Sequence, residues 1–378
     1  MNKCKIFERC GNCQLLHLNY EDSVAYKEKE VSNLFKKAKI NHPIDQVITS
    51  PKPFAYRNKM NVAFQYKNGK LIHGFFEENT HQVVSLDECL IHTSLQNKIA
   101  EAIKDMMIEM RLPAYDEDRR TGLLRYAIIR EGVFSKQILV VLVVGSEIFP
   151  GRSEFVKRLR SRFPAITSIV QNLNNRKTSI VLGEKEMILY GKGYIEDNLD
   201  DFVFRITSKS FYQINPIQTL ALYHALTGFL ESTQEIILDA YSGVGTIGMF
   251  LSKKARQVVC VENNPQAVKA GIAALKENKI RNVEFVLEDT TLFLEKSKQA
   301  ISFSTIVLDP PRSGATESFL KACLYNSPDH IIYVSCEPNT LVRDLHILLE
   351  KYQIKKVVLV DMFCWTKHIE TVVLLSLK

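Results

Sequence analysis

A chain of 378 residues with 46% hydrophobic side chains suits two or three domains and buries a sizeable core, which excludes an intrinsically disordered polypeptide. No apolar run approaches the ~20 residues that span a bilayer, and the opening Met1-Asn2-Lys3-Cys4-Lys5 carries no apolar signal segment, so a cytoplasmic address and no membrane partner are expected. The balance of 49 basic against 42 acidic side chains, +7 overall, leans toward an anionic partner.

In chain order, the first feature is the crowding of Cys4, Cys10 and Cys13, with Gly11 permitting a tight turn and a fourth thiol at Cys89. In a reducing compartment such thiols point to metal rather than to disulfides. Four thiolates suit a [4Fe–4S] cluster or a structural zinc. Only one Cys-x2-Cys pair is present, which favours the cluster; unmetallated thiols are the remaining reading. Tyr20 to Lys39, rich in Lys and Glu, reads as a surface helix, and Pro43, Pro51 and Pro53 break the chain behind it. Strand signals then dominate. Met60 to Tyr66 alternates, Asn68-Gly69 marks a hairpin, Leu71 to Phe76 returns, and His81 to Leu86 leads back to Cys89. A helix is predicted over 93–110, strands over Leu123 to Arg130 and Gln137 to Val144, and a basic helix over Arg152 to Phe163. Ile166 to Leu173, Thr178 to Leu182 and Met187 to Tyr190 are further strand candidates. Basic residues cluster at Arg119, Arg120, Arg125 and Arg130, and again at Lys157, Arg158, Arg160 and Arg162.

Near residue 205 the pattern changes to alternating strand and helix, which means a mostly parallel sheet covered on both faces, with ligands at the carboxyl ends of its strands. Strands are predicted over Glu235 to Ala240, Gln257 to Glu262, Val283 to Leu287, Ser304 to Asp309, His330 to Val334, Lys355 to Val360 and Glu370 to Leu375. A helix follows the second strand, with Asn264 as cap and Pro265 in its first turn. After the first strand comes Asp239-Ala240-Tyr241-Ser242-Gly243-Val244-Gly245, and Glu262 ends the second. Alone, this Gly-rich turn with a following acid fits a nicotinamide dinucleotide or S-adenosylmethionine. Asp309-Pro310-Pro311-Arg312 favours the second, because a dehydrogenase has no use for such a turn and methyltransferases acting on planar bases do. The segment Ser335-Cys336-Glu337-Pro338-Asn339-Thr340-Leu341 places a cysteine between strand and helix, where the helix dipole and Arg343 would favour a thiolate. Glu370 heads a buried strand, which is costly unless the carboxylate has a task or a partner such as Lys367 or Arg343. Cys260 and Cys364 read as packing residues; Trp365 either stacks on a base or fills the core.

Around one sheet edge, Cys336, Asp309 and Glu370 suggest a reaction. Uracil C5 becomes nucleophilic once a thiolate adds to C6; it then takes a methyl group, and a base removes the C5 proton so that the thiolate leaves. Cys336 would be the nucleophile and Glu370 the base. The rivals are a nicotinamide-dependent oxidoreductase, an exocyclic-amine methyltransferase that needs no thiol, and a non-catalytic RNA-binding scaffold.

These residues resemble the uracil-C5 RNA methyltransferase family, in particular its iron–sulfur branch acting on 23S ribosomal RNA. The resemblance covers nearly the whole chain: the four cysteines, Tyr56-Arg57-Asn58-Lys59, Leu124-Arg125, Ser210-Phe211-Tyr212-Gln213-Ile214-Asn215, and the Gly-rich, Asp-Pro-Pro-Arg, Cys336 and His368-Ile369-Glu370 segments. It implies an α/β architecture: a Rossmann-like S-adenosylmethionine-dependent methyltransferase sheet over 201–378, a central α+β RNA-binding domain over 51–200, and a small iron–sulfur segment from 1–50 and 80–92. It implies that Gln213, Tyr241, Glu262 and Asp309 bind S-adenosylmethionine, and that Cys4, Cys10, Cys13 and Cys89 hold a [4Fe–4S] cluster. The implied substrate is a single-stranded loop uridine of 23S rRNA flipped toward Cys336, with the central arginines on phosphates and no obligate protein partner. The β-barrel RNA-binding domain that precedes the cysteines in many relatives is expected to be absent, as in the short enzymes acting on a hairpin loop of domain II. Another rRNA or tRNA uridine is the alternative target. Two positions depart from the family pattern: Ser242 stands where a Cys is usual, and Cys364 where a Pro is usual.

Overall fold

The computed structural model describes residues 4–78, 80–178, 180–297 and 300–378, so Met1 to Lys3, at the head of the expected cluster segment, lie outside it. In chain order the elements are α1 (Phe7–Cys10), α2 (Tyr20–Lys37), β1 (Gln46–Ile48), β2 (Lys59–Lys67), β3 (Lys70–Phe76), β4 (Val83–Ser85), α3 (Ser94–Glu109), β5 (Leu124–Glu131), β6 (Ile138–Val144), α4 (Arg152–Arg162), β7 (Ile166–Leu173), β8 (Lys185–Tyr190), β9 (Tyr194–Leu199) and β10 (Phe202–Thr207). They continue with α5 (Pro216–Gly228), β11 (Gln234–Ala240), α6 (Thr246–Leu251), β12 (Ala255–Glu262), α7 (Pro265–Glu277), β13 (Val283–Leu287), α8 (Thr290–Ser297), β14 (Thr305–Leu308), α9 (Glu317–Asn326), β15 (His330–Ser335), α10 (Pro338–Leu348), β16 (Tyr352–Val360) and β17 (Glu370–Leu377). Two compact units result: Met1–His17 with Lys52–Pro216, and Leu18–Pro51 with Ile217–Lys378. These two units divide the chain along other lines than the expected three parts. Residues 18–51 join the second unit rather than the cysteines, because β1 pairs in parallel with β16 and α2 packs on α10.

The first unit is built on a seven-stranded sheet ordered β4-β3-β2-β5-β6-β7-β8. Asn68 and Gly69 both take positive φ (51° and 76°), as the tight β2–β3 hairpin requires. All of β6 is buried, so both faces of the sheet are covered there. The α3 helix, closed by a Thr93/Gln96 capping box, packs against β3 and β5. Ile195 and Ile206, from a β9–β10 hairpin that sequence patterning did not reveal, pack with Ile128, Leu139 and Val141. The expected strand from Thr178 to Leu182 is not formed by its described residues (Ser179 lies outside them). Instead, the Asn174 side-chain amide donates to the carbonyls of Ile180 and Val181 and holds this stretch as a loop.

The basic cluster is also corrected here. Arg125 is buried and forks onto Glu117 (3.0 and 2.7 Å), with further hydrogen bonds to the carbonyls of Asn174 and Arg176. Arg130 is buried too and donates to the carbonyls of Thr207 and Ser210. Neither guanidinium is presented to a phosphate. The β-strand period explains this, because an arginine on an inward-facing position must spend its donors inside.

The second unit carries an eight-stranded sheet ordered β1-β16-β17-β15-β14-β11-β12-β13, parallel except where β17 runs against both β15 and β16. From β11 the chain adds β12 and β13 on one side, then crosses to β14 and β15 on the other. The switch point between β11 and β14 is where such sheets bind ligands. Asn264 caps α7 as expected, its side chain accepting from the N–H groups of Gln266 and Ala267. The α2 helix is not a simple surface helix. Its buried stripe of Val24, Val31 and Phe35 includes Lys27, whose ammonium is fully enclosed and donates to Asp361 (2.5 Å) and to the Phe363 carbonyl (3.0 Å). The Tyr20 hydroxyl donates to the other Asp361 oxygen (2.8 Å), and Gln218 holds the Asp361 carbonyl. Trp365 is buried against Tyr20, with ring centroids 5.5 Å apart, so it fills the core.

Removing one member of an enclosed ion pair leaves a bare charge in low dielectric, at a cost of about 3–5 kcal/mol. Lys27→Met is therefore expected to lose stability on that scale in chemical denaturation, and Lys27→Met/Asp361→Asn to recover part of it. A single variant as stable as the parent would contradict the pairing.

Candidate active site

Strand register assembles the site in the second unit. Ala240 lies level with Val261 and with Leu308, and Leu308 with Tyr333. One step further along their strands stand Tyr241, Glu262 and Asp309, side by side at the carboxyl edge. On the antiparallel pair, Ser335 is level with Thr371, so Cys336, the residue after β15, and Glu370, the first of β17, stand at the same sheet edge. Gln213 lies in the first unit, between β10 and α5, where its carbonyl accepts from the Asn58 side chain (2.9 Å).

Electrostatics tie these groups together. Glu370 is buried and makes no ion pair among the described residues; burial first, then Asp309, push its carboxyl up to about 8, against a lowering by Arg312. Burial raises Asp309 to about 7. The Cys336 thiol is pushed up to about 11 by burial, then by Glu370 and Asp309, again opposed by Arg312. The expected help from Arg343 is not found: it binds Asp344 (2.7 Å) and the carbonyls of Ser313 and Ala315. The resting site thus keeps its protons on Cys336 and Glu370 at neutral pH. Arg312, which the sequence marked only as the end of a Pro-Pro turn, is the cation acting on both.

The Gly-rich turn is held from two sides. Glu262 accepts the N–H of Gly243 on one carboxylate oxygen (2.9 Å) and that of Asn264 on the other (2.8 Å). Asp239, fully buried, accepts the N–H of Gly248 (2.8 Å) on Oδ2, while Oδ1 has no partner; burial raises its carboxyl to about 7. Tyr241 takes φ 59°, a left-handed conformation rare for an aromatic residue, and its ring meets Phe319 edge-on at 5.2 Å. Space over Gly243 is open. An orphaned buried carboxylate oxygen, an open glycine turn and an acid at the adjoining strand end fit the amino-acid and ribose groups of S-adenosylmethionine.

The four cysteines of the first unit, Cys4, Cys10, Cys13 and Cys89, lie around one cavity walled mainly by apolar side chains such as Phe7, Leu16, Phe75 and Ile91. Gly11, at φ 70°, turns the chain from α1 toward Cys13. Burial and the neighbouring thiols push Cys13 and Cys89 up to about 12. Two residues escaped the sequence reading. Arg57 lowers the cost of charge on Cys10 and Cys13, and His92 places Nδ1 3.1 Å from the Cys89 sulfur. The Cys-x2-His spacing could have signalled His92, whereas nothing local links Arg57 to the thiols. Among the described residues, no three or more His, Cys, Asp or Glu side chains form a group able to hold a metal ion, and no helix is long and apolar enough to cross a membrane.

Comparison with known proteins shows the family. The family described as tRNA (Uracil-5-)-methyltransferase matches residues 19–378. A protein of Halalkalibacterium halodurans described as an uncharacterized RNA methyltransferase is 38% identical over 380 residues, spanning 99% of this chain and 83% of its own. One so described from Staphylococcus aureus is 35% identical over 380 residues, spanning 99% and 84%. Among solved structures, the tRNA (uracil-54, C5)-methyltransferase of Pyrococcus abyssi, in complex with S-adenosyl-L-homocysteine, superposes with a TM-score of 0.80 at 29% identity, covering 96% of this chain and 85% of that one.

The raised carboxyl of Glu370 gives a signed stability prediction. Its unfolded value is about 4.3 and its folded value about 8, so the native state holds the extra proton between them. The buried carboxyl therefore costs stability as pH rises through that window, and the cost is full above about 8. Glu370→Gln removes it, so the thermal midpoint of the variant should gain on the parent more at pH 9 than at pH 4.5. An equal or opposite difference would show that the carboxylate is paired.

Proposed function

Because the chain belongs to the tRNA (uracil-5-)-methyltransferase family, we propose that it methylates C5 of a uridine in 23S rRNA, in a hairpin loop of domain II, through a covalent adduct on Cys336. The placement of Cys336 at the end of β15 and of Glu370 at the start of the adjoining β17, close enough for the carboxylate to act on the thiol, carries this reading. Bound S-adenosylmethionine supplies the methyl group as an electrophile, held in the second unit by Tyr241, Glu262 and Asp309. Once the substrate is bound, Cys336 and Glu370 each give up their proton to water; the thiolate then adds to C6 of a flipped uracil, sending the electron pair to O4 and making C5 nucleophilic. After C5 has taken the methyl group, the Glu370 carboxylate removes the C5 proton, the electron pair reforms the C5–C6 double bond, and the Cys336 thiolate leaves. The same two residues rule against simple amine methylation, which needs no thiol. The likeness to a tRNA enzyme makes a tRNA uridine the competing target.

Cys4, Cys10, Cys13 and Cys89 would hold a [4Fe–4S] cluster, whose iron–thiolate bonds would staple the N-terminal segment to the loop after β4 that carries Cys89. Their convergence on one apolar cavity supports this assignment. Two measurements test the proposal. With S-adenosylmethionine and 5-fluorouridine-substituted RNA, a denaturation-resistant adduct on Cys336 should form with the 23S rRNA fragment, because fluorine cannot leave C5 as a proton. Cys336→Ala should abolish it, and Glu370→Gln should accumulate adduct even on unsubstituted RNA. An adduct with tRNA alone would move the target, and none with any RNA would end the mechanism. Separately, protein purified without oxygen should contain iron and acid-labile sulfide, both lost in Cys89→Ser; zinc in place of iron would sink the cluster assignment.

A further inference from the structure

Among its described residues, the first unit holds two cations with no carboxylate paired to them. On the β2–β5 ladder Lys59 lies directly opposite Arg130, so both side chains leave the same face. Arg130 is buried and satisfied only by neutral carbonyls, those of Thr207 (2.6 Å) and Ser210 (2.8 Å). No carboxylate pairs with it among the described residues. Lys59 is half-buried, and its ammonium has neither an ion pair nor a hydrogen bond among those residues. Burial and the neighbouring Arg130 depress it to about 8, which still leaves it mainly protonated at neutral pH. Like charges set opposite each other on a ladder are destabilising, and a half-buried cation without a partner adds desolvation to that cost. Such an arrangement is retained where a ligand brings the missing charge.

We propose that Lys59, backed by Arg130, is an oxyanion site that grips a phosphodiester of the RNA substrate. The assignment to RNA rests on the function proposed above; the oxyanion chemistry does not. Lys59 supplies a point charge with three donors, suited to a phosphate that arrives from solvent, while Arg130 is locked to the chain and supplies field rather than contact. The site accounts for a lysine that the fold itself does not use. It also compensates for Arg125 and Arg130, which are too enclosed to meet phosphates.

The test uses the whole chain and its Lys59→Met and Lys59→Arg variants. RNA binding is titrated across a range of salt with the 23S rRNA fragment. Losing one phosphate contact to a single strand should lower affinity roughly fivefold at 0.1 M salt and flatten the slope of log affinity against log salt by about 0.7. Lys59→Arg should keep the slope, and affinity for S-adenosylmethionine should not change in either variant. In parallel, inorganic phosphate at constant ionic strength should raise the thermal midpoint of the parent but not of Lys59→Met, which in phosphate-free buffer should be at least as stable as the parent. Unchanged RNA affinity and slope in Lys59→Met would overturn the proposal. So would a less stable Lys59→Met, which would make Lys59 structural, or a loss confined to S-adenosylmethionine, which would assign the site to that molecule's carboxylate. If wild-type protein forms no adduct with any RNA, the uridine mechanism fails; the phosphate-dependent midpoint then still reports on Lys59 alone.

Discussion

One antiparallel pairing holds the second unit's chemistry together. The strand pairs that do not involve β17 are parallel, but β17 enters between β15 and β16 in the opposite sense. A strand that started at the same edge as its neighbours would end where Cys336 does. Because β17 runs backwards, its first residue, Glu370, reaches that edge beside the end of β15. The position of Glu370 is thereby fixed by a backbone ladder. The loop 361–369 that reverses the chain is pinned from beneath by Lys27, Tyr20 and Gln218 on Asp361. An enclosed ion pair contributes little net stability, but it is costly to break, and so resists other arrangements of that loop.

The same edge concentrates acids against the cost of burying them. Asp239, Asp309 and Glu370 are all raised toward or above neutrality by burial, and Arg312 is the cation that opposes this at Glu370 and Cys336. A site that holds its protons at rest is stable without substrate. Its charges develop when a ligand displaces water and offers compensating groups. The first unit shows the inverse, with Lys59 and Arg130 as cations awaiting an anion. In both places the fold is left short of its optimum, as expected where a ligand completes the charge balance.

Much of this was legible in the chain itself. Alternating strands and helices beyond residue 205, the Asn264-Pro265 helix start and the Asn68-Gly69 hairpin are local signals, and the structure realises each. The short β9–β10 hairpin and the three-residue β1 carry too little periodicity to be seen, and the apolar run after Thr178 looked like a strand until Asn174 claimed its carbonyls. Charge was the least legible property. Arg125, Arg130 and Lys27 read as solvated or RNA-facing cations, because composition records a charge without the direction of its side chain.

The sequence by itself determined the strand-end positions of Tyr241, Glu262, Asp309, Cys336 and Glu370, since residue type, turn chemistry and hydrophobic period are local. It also placed the thiols at Cys4, Cys10, Cys13 and Cys89. Only the tertiary structure decided which of these groups meet. Strand order, the reversed β17 and the return of Cys89 to α1 depend on contacts between residues far apart in the chain, and so did the spending of Arg343 on Asp344. Protonation was decided there as well: burial and neighbouring charge, not residue identity, hold Cys336 and Glu370 in their acid forms.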